Sequence, residues 1–275
     1  MILIAQISDL HLRPRGLPAL RVVETNMLTA RVVARLLAFR PVLDAVLLTG
    51  DITDQGDERE YAAAGEILAP LGNRLLPMPG NHDIPGLVRT TFAHTPAGQT
   101  REGEKLCYGV DVGPVRVIAL DSSVPEEPWG ALGKEQLAWL DAELSAHADR
   151  PTLIALHHPP VAVGMAGMDT MGLKDADALA EVVKRHPQVG RIVCGHVHRA
   201  ITAAFAGTLV TVAPTPVHAT SLDLSAEPQA TFHLEPPAFL IHLWSEATGF
   251  VTHTVFVEPH PGPFPYWGDP SLPRL

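Results

Sequence analysis

Five short segments carry side chains whose lone pairs suit divalent cations. They are Asp9-Leu10-His11, Gly50-Asp51-Ile52-Thr53-Asp54, Gly80-Asn81-His82-Asp83, His157-His158 and Gly195-His196-Val197-His198. Each follows a short apolar run, so each set would sit where a strand gives way to a turn. Carboxylate, imidazole and amide oxygen together suit Mn, Fe, Co or Zn better than Ca or a thiolate site. One carboxylate can bridge two ions, and two ions about 3.5–4 Å apart form a clamp for in-line phosphoryl displacement. Such ions also bring the pKa of water near neutrality, so no protein nucleophile is required. The chain has no Gly-x-Ser-x-Gly elbow, Walker loop or His-Glu-x-x-His.

Taken singly, each segment has a plainer account. Asp-x-His and Gly-Asp are common at solvated turns, Asn81 or Asp83 would cap a helix, and His157-His158 reads as one core and one surface imidazole. Gly195-His196-Val197-His198 is the most metal-like, because alternation along a strand puts both imidazoles on one side. Five segments, all at strand ends, argue for one convergent site, since ligands in open α/β sheets gather beyond the carboxyl ends of strands. Glycines before Asp51, Asn81 and His196 permit the sharp turns this needs.

The elements that must position these residues follow from periodicity. Apolar runs predict strands over 2–7, 44–49, 75–78, 152–156 and 191–194, with a hairpin from 107–112 and 115–120 around Gly113-Pro114. Helical spacing predicts helices over 21–39, 58–68, 133–148 and 175–185. From residue 201 the pattern is mostly strand: 201–205, 209–212, 231–234, 239–244 and 250–257. Early βαβ alternation and later antiparallel strands favour a layered mixed α/β fold. Residues 219–237 read as an excursion for substrate gating or subunit contact, and residues 259–275 as a proline-rich tail. The loop 161–173, with Met165, Met168 and Met171, either lines the entrance or packs into the core.

With 275 residues, 46% hydrophobic and 18% charged, the chain is ordinary globular material. A net charge of −10 disfavours nucleic-acid binding, and fits an anionic substrate only where bound cations reverse the sign locally. No apolar run is long enough to span a bilayer, and residues 1–5 do not read as a signal peptide. Cys107 and Cys194 fit a reducing compartment, so a soluble cytoplasmic protein is expected.

The five segments in this order resemble the calcineurin-like metallophosphoesterase superfamily, over roughly residues 1–215. Within it the chain is similar to class III cyclic nucleotide phosphodiesterases and bacterial glycerophosphodiesterases. The similarity rests on Ile7-Ser8-Asp9-Leu10-His11, Met78-Pro79-Gly80-Asn81-His82-Asp83, Leu132-Gly133-Lys134-Glu135-Gln136-Leu137, His157-His158-Pro159-Pro160, Cys194-Gly195-His196-Val197-His198 and Pro216-Val217-His218. The resemblance implies a four-layer α/β/β/α sandwich, with a catalytic domain over 1–215 and a β-rich extension with the tail over 216–275. It implies one metal held by Asp9, His11, Asp51 and His198. Asn81, His157 and His196 would hold the other, with Asp51 bridging. His82 would bind the phosphoryl oxygen or protonate the leaving alkoxide, Asp54 and Asp83 would hold these groups in place, and His218 would reach the phosphate or, equally, face solvent.

Gln55 stands where protein Ser/Thr phosphatases carry Arg, which argues against a phosphoprotein substrate. Arg13 and Arg15 either contact an anionic substrate or are solvated. The expected activity is binuclear hydrolysis of small phosphodiesters, glycerophosphodiesters ahead of 3′,5′-cyclic nucleotides, by a homo-oligomer. The rival is a non-catalytic scaffold. It is disfavoured because none of Asp9, His11, Asp51, Asn81, His82, His157, His196 and His198 departs from the motif.

Overall fold

The computed structural model describes residues 1–264. Its elements in chain order are β1 (Ile2–Ile7), α1 (Thr25–Ala38), β2 (Ala45–Thr49), α2 (Glu58–Leu68), β3 (Leu75–Met78), α3 (Pro85–Thr91), β4 (Tyr108–Val112) and β5 (Val115–Ala119). There follow α4 (Gly133–Ala146), β6 (Thr152–Ala155), α5 (Ala166–Asp169), α6 (Ala176–Lys184), β7 (Val189–Cys194), β8 (Ile201–Phe205) and β9 (Thr208–Val212). The last are β10 (Ala219–Thr220), β11 (Phe232–His233), β12 (Ala238–Ser245) and β13 (Gly249–Phe256).

Two sheets carry the architecture. One has the order β13-β12-β1-β2-β3 and the other β4-β5-β6-β7-β9-β8, with β10-β11 as a separate ribbon. Parallel pairing runs through β1-β2-β3 and β5-β6-β7-β9; helices cross between successive strands from β1 to β3 and from β5 to β7, whereas β9 is reached from β7 through β8. Strands β12 and β13 return to the first sheet, with β12 antiparallel to β1.

Alternation along the strands divides the core. Val117, Ala119, Leu153 and Ala155 face the interior shared with the first sheet, α1 and α2. Ile118, Leu120, Ile154 and Leu156 face the opposite way, onto Leu140 and Leu144 of α4 and Leu179, Val182 and Val183 of α6. Helices therefore cover the outer faces and the two sheets meet in the middle, giving the expected layered α/β fold.

Several elements differ from expectation. The helix anticipated over 21–39 begins at Thr25, because Ala19 and Val23 exchange backbone hydrogen bonds (2.9 Å each) around a tight turn. Leu20 and Arg21 there adopt positive φ, and Val22 points to solvent. The strand expected over 231–234 shrinks to two residues, since its one neighbour is the two-residue β10. Met165 is buried in the second core and Met168 packs on it, which is the core account of the methionine loop. Most of the proline-rich tail lies outside the described residues.

Phe239 on β12 is completely buried. Phe239→Ala should destabilise the protein by about 3–5 kcal/mol, read from urea unfolding.

Candidate metal centre

The carboxyl ends of β1, β2, β3, β6 and β7 point the same way, and the five segments follow them. The loops approach closely. A Cβ at Gly80 would overlap the Asp51 carboxylate, and one at Gly195 would overlap Ser8, so each site admits no side chain. Asp9, His11, Asp51, His196 and His198 all have positive φ, between 43° and 71°. Left-handed backbone of this kind costs about 1–3 kcal/mol per residue and clusters at functional sites.

The structure brings together every sequence-predicted site residue. One candidate ligand atom from each of Asp9, His11, Asp51 and His198 lies within 4.8 Å of the others. His11 Nε2 is 3.1 Å from His198 Nε2 and 3.6 Å from Asp51 Oδ2. On the other side Asn81 Oδ1 is 3.1 Å from His157 Nε2 and 3.0 Å from His196 Nδ1. Asp51 Oδ2 is also 3.4 Å from His157 Nε2, so one carboxylate oxygen adjoins both groups.

The orientations suit cations. A backbone carbonyl only accepts, so His157 Nδ1 donates to Thr49 O (2.8 Å) and turns the Nε2 lone pair toward Asn81 Oδ1 and Asp51. By the same logic His198 Nδ1 donates to His218 O (2.8 Å) and presents Nε2. The far oxygens of both carboxylates are fixed by the main chain, Asp9 Oδ1 by His196 N (2.9 Å) and Asp51 Oδ1 by His82 N (3.0 Å). Nine buried side-chain polar atoms among the described residues lack a hydrogen-bond partner, and five belong to this cluster: Asp9 Oδ2, His11 Nδ1, His158 Nε2, His196 Nε2 and His218 Nδ1. Buried polar atoms are rarely left this way without a ligand. Two carboxylates, an amide oxygen and imidazole lone pairs, without a thiolate, fit a pair of divalent ions.

The electrostatics divide the cluster, with His157 favouring a proton that a cation would displace and His196 and His198 staying neutral. Burial pushes the Asp51 carboxyl up, but His157, His82 and His11 outweigh it and hold it well below the usual range. Burial prevails at Asp9, whose carboxyl is raised. Burial opposes charge on His157, yet Asp51 raises that imidazole to about 9. His196, His198 and His218 are pushed down to about 3, by burial first and neighbouring imidazoles second, and so stay neutral as metal ligation requires.

His82 is exposed at the mouth. Its Nδ1 donates to the Asp54 carbonyl (2.7 Å), leaving Nε2 free for substrate. Beside it opens a cleft of about 560 Å³ lined by Asn81, His82, Ile84, Lys105, Ser123 and Glu126. The Asp54 carboxylate lies 3.3 Å from His11 Nδ1 and 3.2 Å from Arg13 Nη1. Arg13 also reaches the fully buried Glu60 (2.5 Å), so it turns inward rather than toward substrate, and Arg15 pairs with Glu66 at the surface. His218 is buried against His11 and His198, not solvated.

Sequence reasoning missed several supports. His157 and His158 are both fully buried, so the plainer account of one core and one surface imidazole does not hold; His158 is held by Ser122 Oγ (2.8 Å), which no local pattern marks as its partner. Tyr61 on α2 donates to Asp83 (3.2 Å) and accepts from Ile84 N (2.7 Å). Asp83 further accepts from Ile52 N, Thr53 N, Thr53 Oγ1 and Gly80 N at 2.9–3.1 Å, clasping the Asp51 loop to the Asn81 loop. Asp83→Ala leaves these donors without an acceptor. It should weaken metal binding about 10–100-fold by calorimetry, with a lowered melting temperature.

Comparison with known proteins agrees with this geometry. The family model for calcineurin-like phosphoesterases matches residues 2–200. The chain is 32% identical over 268 residues to a probable glycerophosphodiester phosphodiesterase of Arcobacter nitrofigilis, covering 97% of each. It is 34% identical over 209 residues to a 3′,5′-cyclic adenosine monophosphate phosphodiesterase of Vibrio vulnificus, covering 76% of this chain and 74% of that one. A dimetal phosphatase from Danio rerio superposes with a TM-score of 0.69 at 17% identity, over 94% of this chain and 99% of that one; this likeness concerns the fold alone. With the family match spanning all five of these segments, the chain belongs to the calcineurin-like phosphoesterase family.

Proposed function

We propose that the chain is a metal-dependent phosphodiesterase that hydrolyses small phosphodiesters to a monoester and an alcohol, using two ions drawn from Mn, Fe, Co and Zn. The carrying observation is Asp51 Oδ2, which adjoins His11 Nε2 at 3.6 Å and His157 Nε2 at 3.4 Å and so suits a bridging ligand. Asp9, His11 and His198 would complete one site, and Asn81, His157 and His196 the other. When bound, such ions supply Lewis-acid polarisation of the phosphoryl group and lower the pKa of water.

The chain's own residues do the rest. Asp51 and Asp9 set the charge of the pocket. Asn81 stands between the second site and the cleft, where it orients the phosphoryl group. His82, as the imidazolium with Nδ1–H committed to Asp54 O, offers Nε2–H to the leaving oxygen, gives it that proton and is left neutral. His218 Nδ1 lies beside His11 and completes the phosphate-binding wall.

Similarity over almost the whole length to the Arcobacter nitrofigilis protein favours glycerophosphodiesters. The Vibrio vulnificus relative supports 3′,5′-cyclic nucleotides as the second reading. Exposed Leu20, Val22, Leu222, Leu224 and Leu234 support a homo-oligomer, which light scattering on the purified protein tests. Both cysteines are free, which supports a cytoplasmic setting; no helix among the described residues is long and apolar enough to cross a membrane.

Protein stripped of metal should not hydrolyse bis(p-nitrophenyl) phosphate, and Mn, Co or Zn should restore turnover. His82→Ala should lower kcat about 100-fold or more at unchanged metal content by elemental analysis. Asn81→Ala should lower both turnover and the content of one ion. No turnover with any metal, on the aryl diester or on glycerophosphoethanolamine, would overturn the proposal. A far higher kcat/KM for 3′,5′-cAMP would reverse the order of substrates.

A further inference from the structure

A chain of polar side chains runs obliquely across the inner face of the first sheet, from half-buried Thr252 at one end into the core. Thr252 on β13 stands opposite His242 on β12, and His242 lies diagonally across from Gln6 on β1. Gln6 in turn lies diagonally across from Thr49 on β2. These are same-face neighbours on four successive strands. Gln6, Thr49 and His242 are completely buried.

Each hydrogen has one place to go. Gln6 Nε2 donates to Thr49 Oγ1 (3.0 Å) and to the Cys194 carbonyl (2.8 Å). That amide therefore spends both hydrogens, one within its own sheet and one across to β7 in the other. Gln6 Oε1 lies 3.0 Å from His242 Nε2, and His242 Nδ1 lies 2.9 Å from Thr252 Oγ1. Burial pushes His242 down to about 3, so the ring is neutral: Nε2 carries the hydrogen and Nδ1 accepts from Thr252.

The two groups that Gln6 grips are the last residues before the ligand-bearing turns. Thr49 precedes Gly50-Asp51, and its carbonyl receives His157 Nδ1 and Ser8 Oγ. Cys194 precedes Gly195-His196. Apolar faces can slide on each other with little change in buried area, whereas a directional bond between sheets permits one registry.

We propose that Gln6, oriented by His242, is a positioning residue that fixes the two sheets in the registry at which the Asp51, His157 and His196 turns converge. The role rests on the metal-centre reading above. Gln6 touches neither substrate nor ion; it acts through Thr49 and Cys194.

The test is calorimetric titration of Mn and Zn into metal-stripped protein, with melting temperatures alongside. Gln6→Met keeps the length of the side chain and removes its donors; metal binding should weaken about tenfold or more. The double variant Gln6→Met/His242→Phe removes the imidazole left unpaired, so its melting temperature should recover while metal binding stays weak. Thr49→Val, a milder change that removes one of the two bonds and spares the Thr49 carbonyl, should weaken binding about threefold and serves if Gln6→Met does not fold. Unchanged affinity in these variants, or affinity that recovers together with the melting temperature, would overturn the inference and leave the phosphodiesterase reading standing. A wild-type protein that binds no metal would bring down both.

Discussion

Two carboxylates, Asp9 and Asp51, are sealed from solvent at the seam between two β-sheets, and the rest of the structure is organised around keeping charge there. An unpaired buried ion costs several kcal/mol even after relaxation. The cost is offset locally by main-chain N–H groups of His82 and His196 and by the imidazoles of His11 and His157, drawn toward the charged form against burial by Asp54 and then Asp51 at His11, and by Asp51 at His157. Neutral His196 and His198 add lone pairs rather than charge. Such an arrangement attracts cations and repels any further anion until cations are present. It also reconciles an acidic chain with an anionic substrate.

Holding so many polar groups together strains the backbone that carries them. Five ligand-type residues occupy left-handed conformations, and glycines stand wherever a neighbouring loop would collide with a side chain. The strands supply the rigidity that offsets this. Parallel β1, β2 and β3 in one sheet and β6 and β7 in the other deliver five turns to one edge. Asp83 ties two of those turns together, as the oblique Gln6 ladder ties the sheets beneath them.

The ligand types and their strand-end setting were legible because short apolar runs ending in Gly-Asp, Gly-Asn and Gly-His carry both signals at once. The layered architecture was legible for the same reason, since helices and strands alternate with clear periods. What stayed hidden depends on contacts between residues far apart in sequence. Nothing local distinguishes Tyr61 from other helix aromatics, or tells that His158 meets Ser122. The shortened start of α1 was misread because Val22 and Val23 continue the helical spacing, while the turn that displaces them comes from paired backbone groups of Ala19 and Val23. Arg13 read as a basic surface residue because its carboxylate partners, Asp54 and Glu60, lie 41 and 47 positions away.

A third and much smaller apolar cluster has a consequence of its own. Ala19, Val23 and Val217, with Leu28 and Phe232 against them, join the loop after His11 to the ribbon of β10 and β11 after His218. These two segments pack on each other, apart from the two large cores that hold the strands. The ribbon side of this cluster is tied to the site, because His218, between Val217 and β10, lends its carbonyl to His198 Nδ1 (2.8 Å). A change in how this rim packs is therefore felt at the floor of the site, through the carbonyl that orients His198.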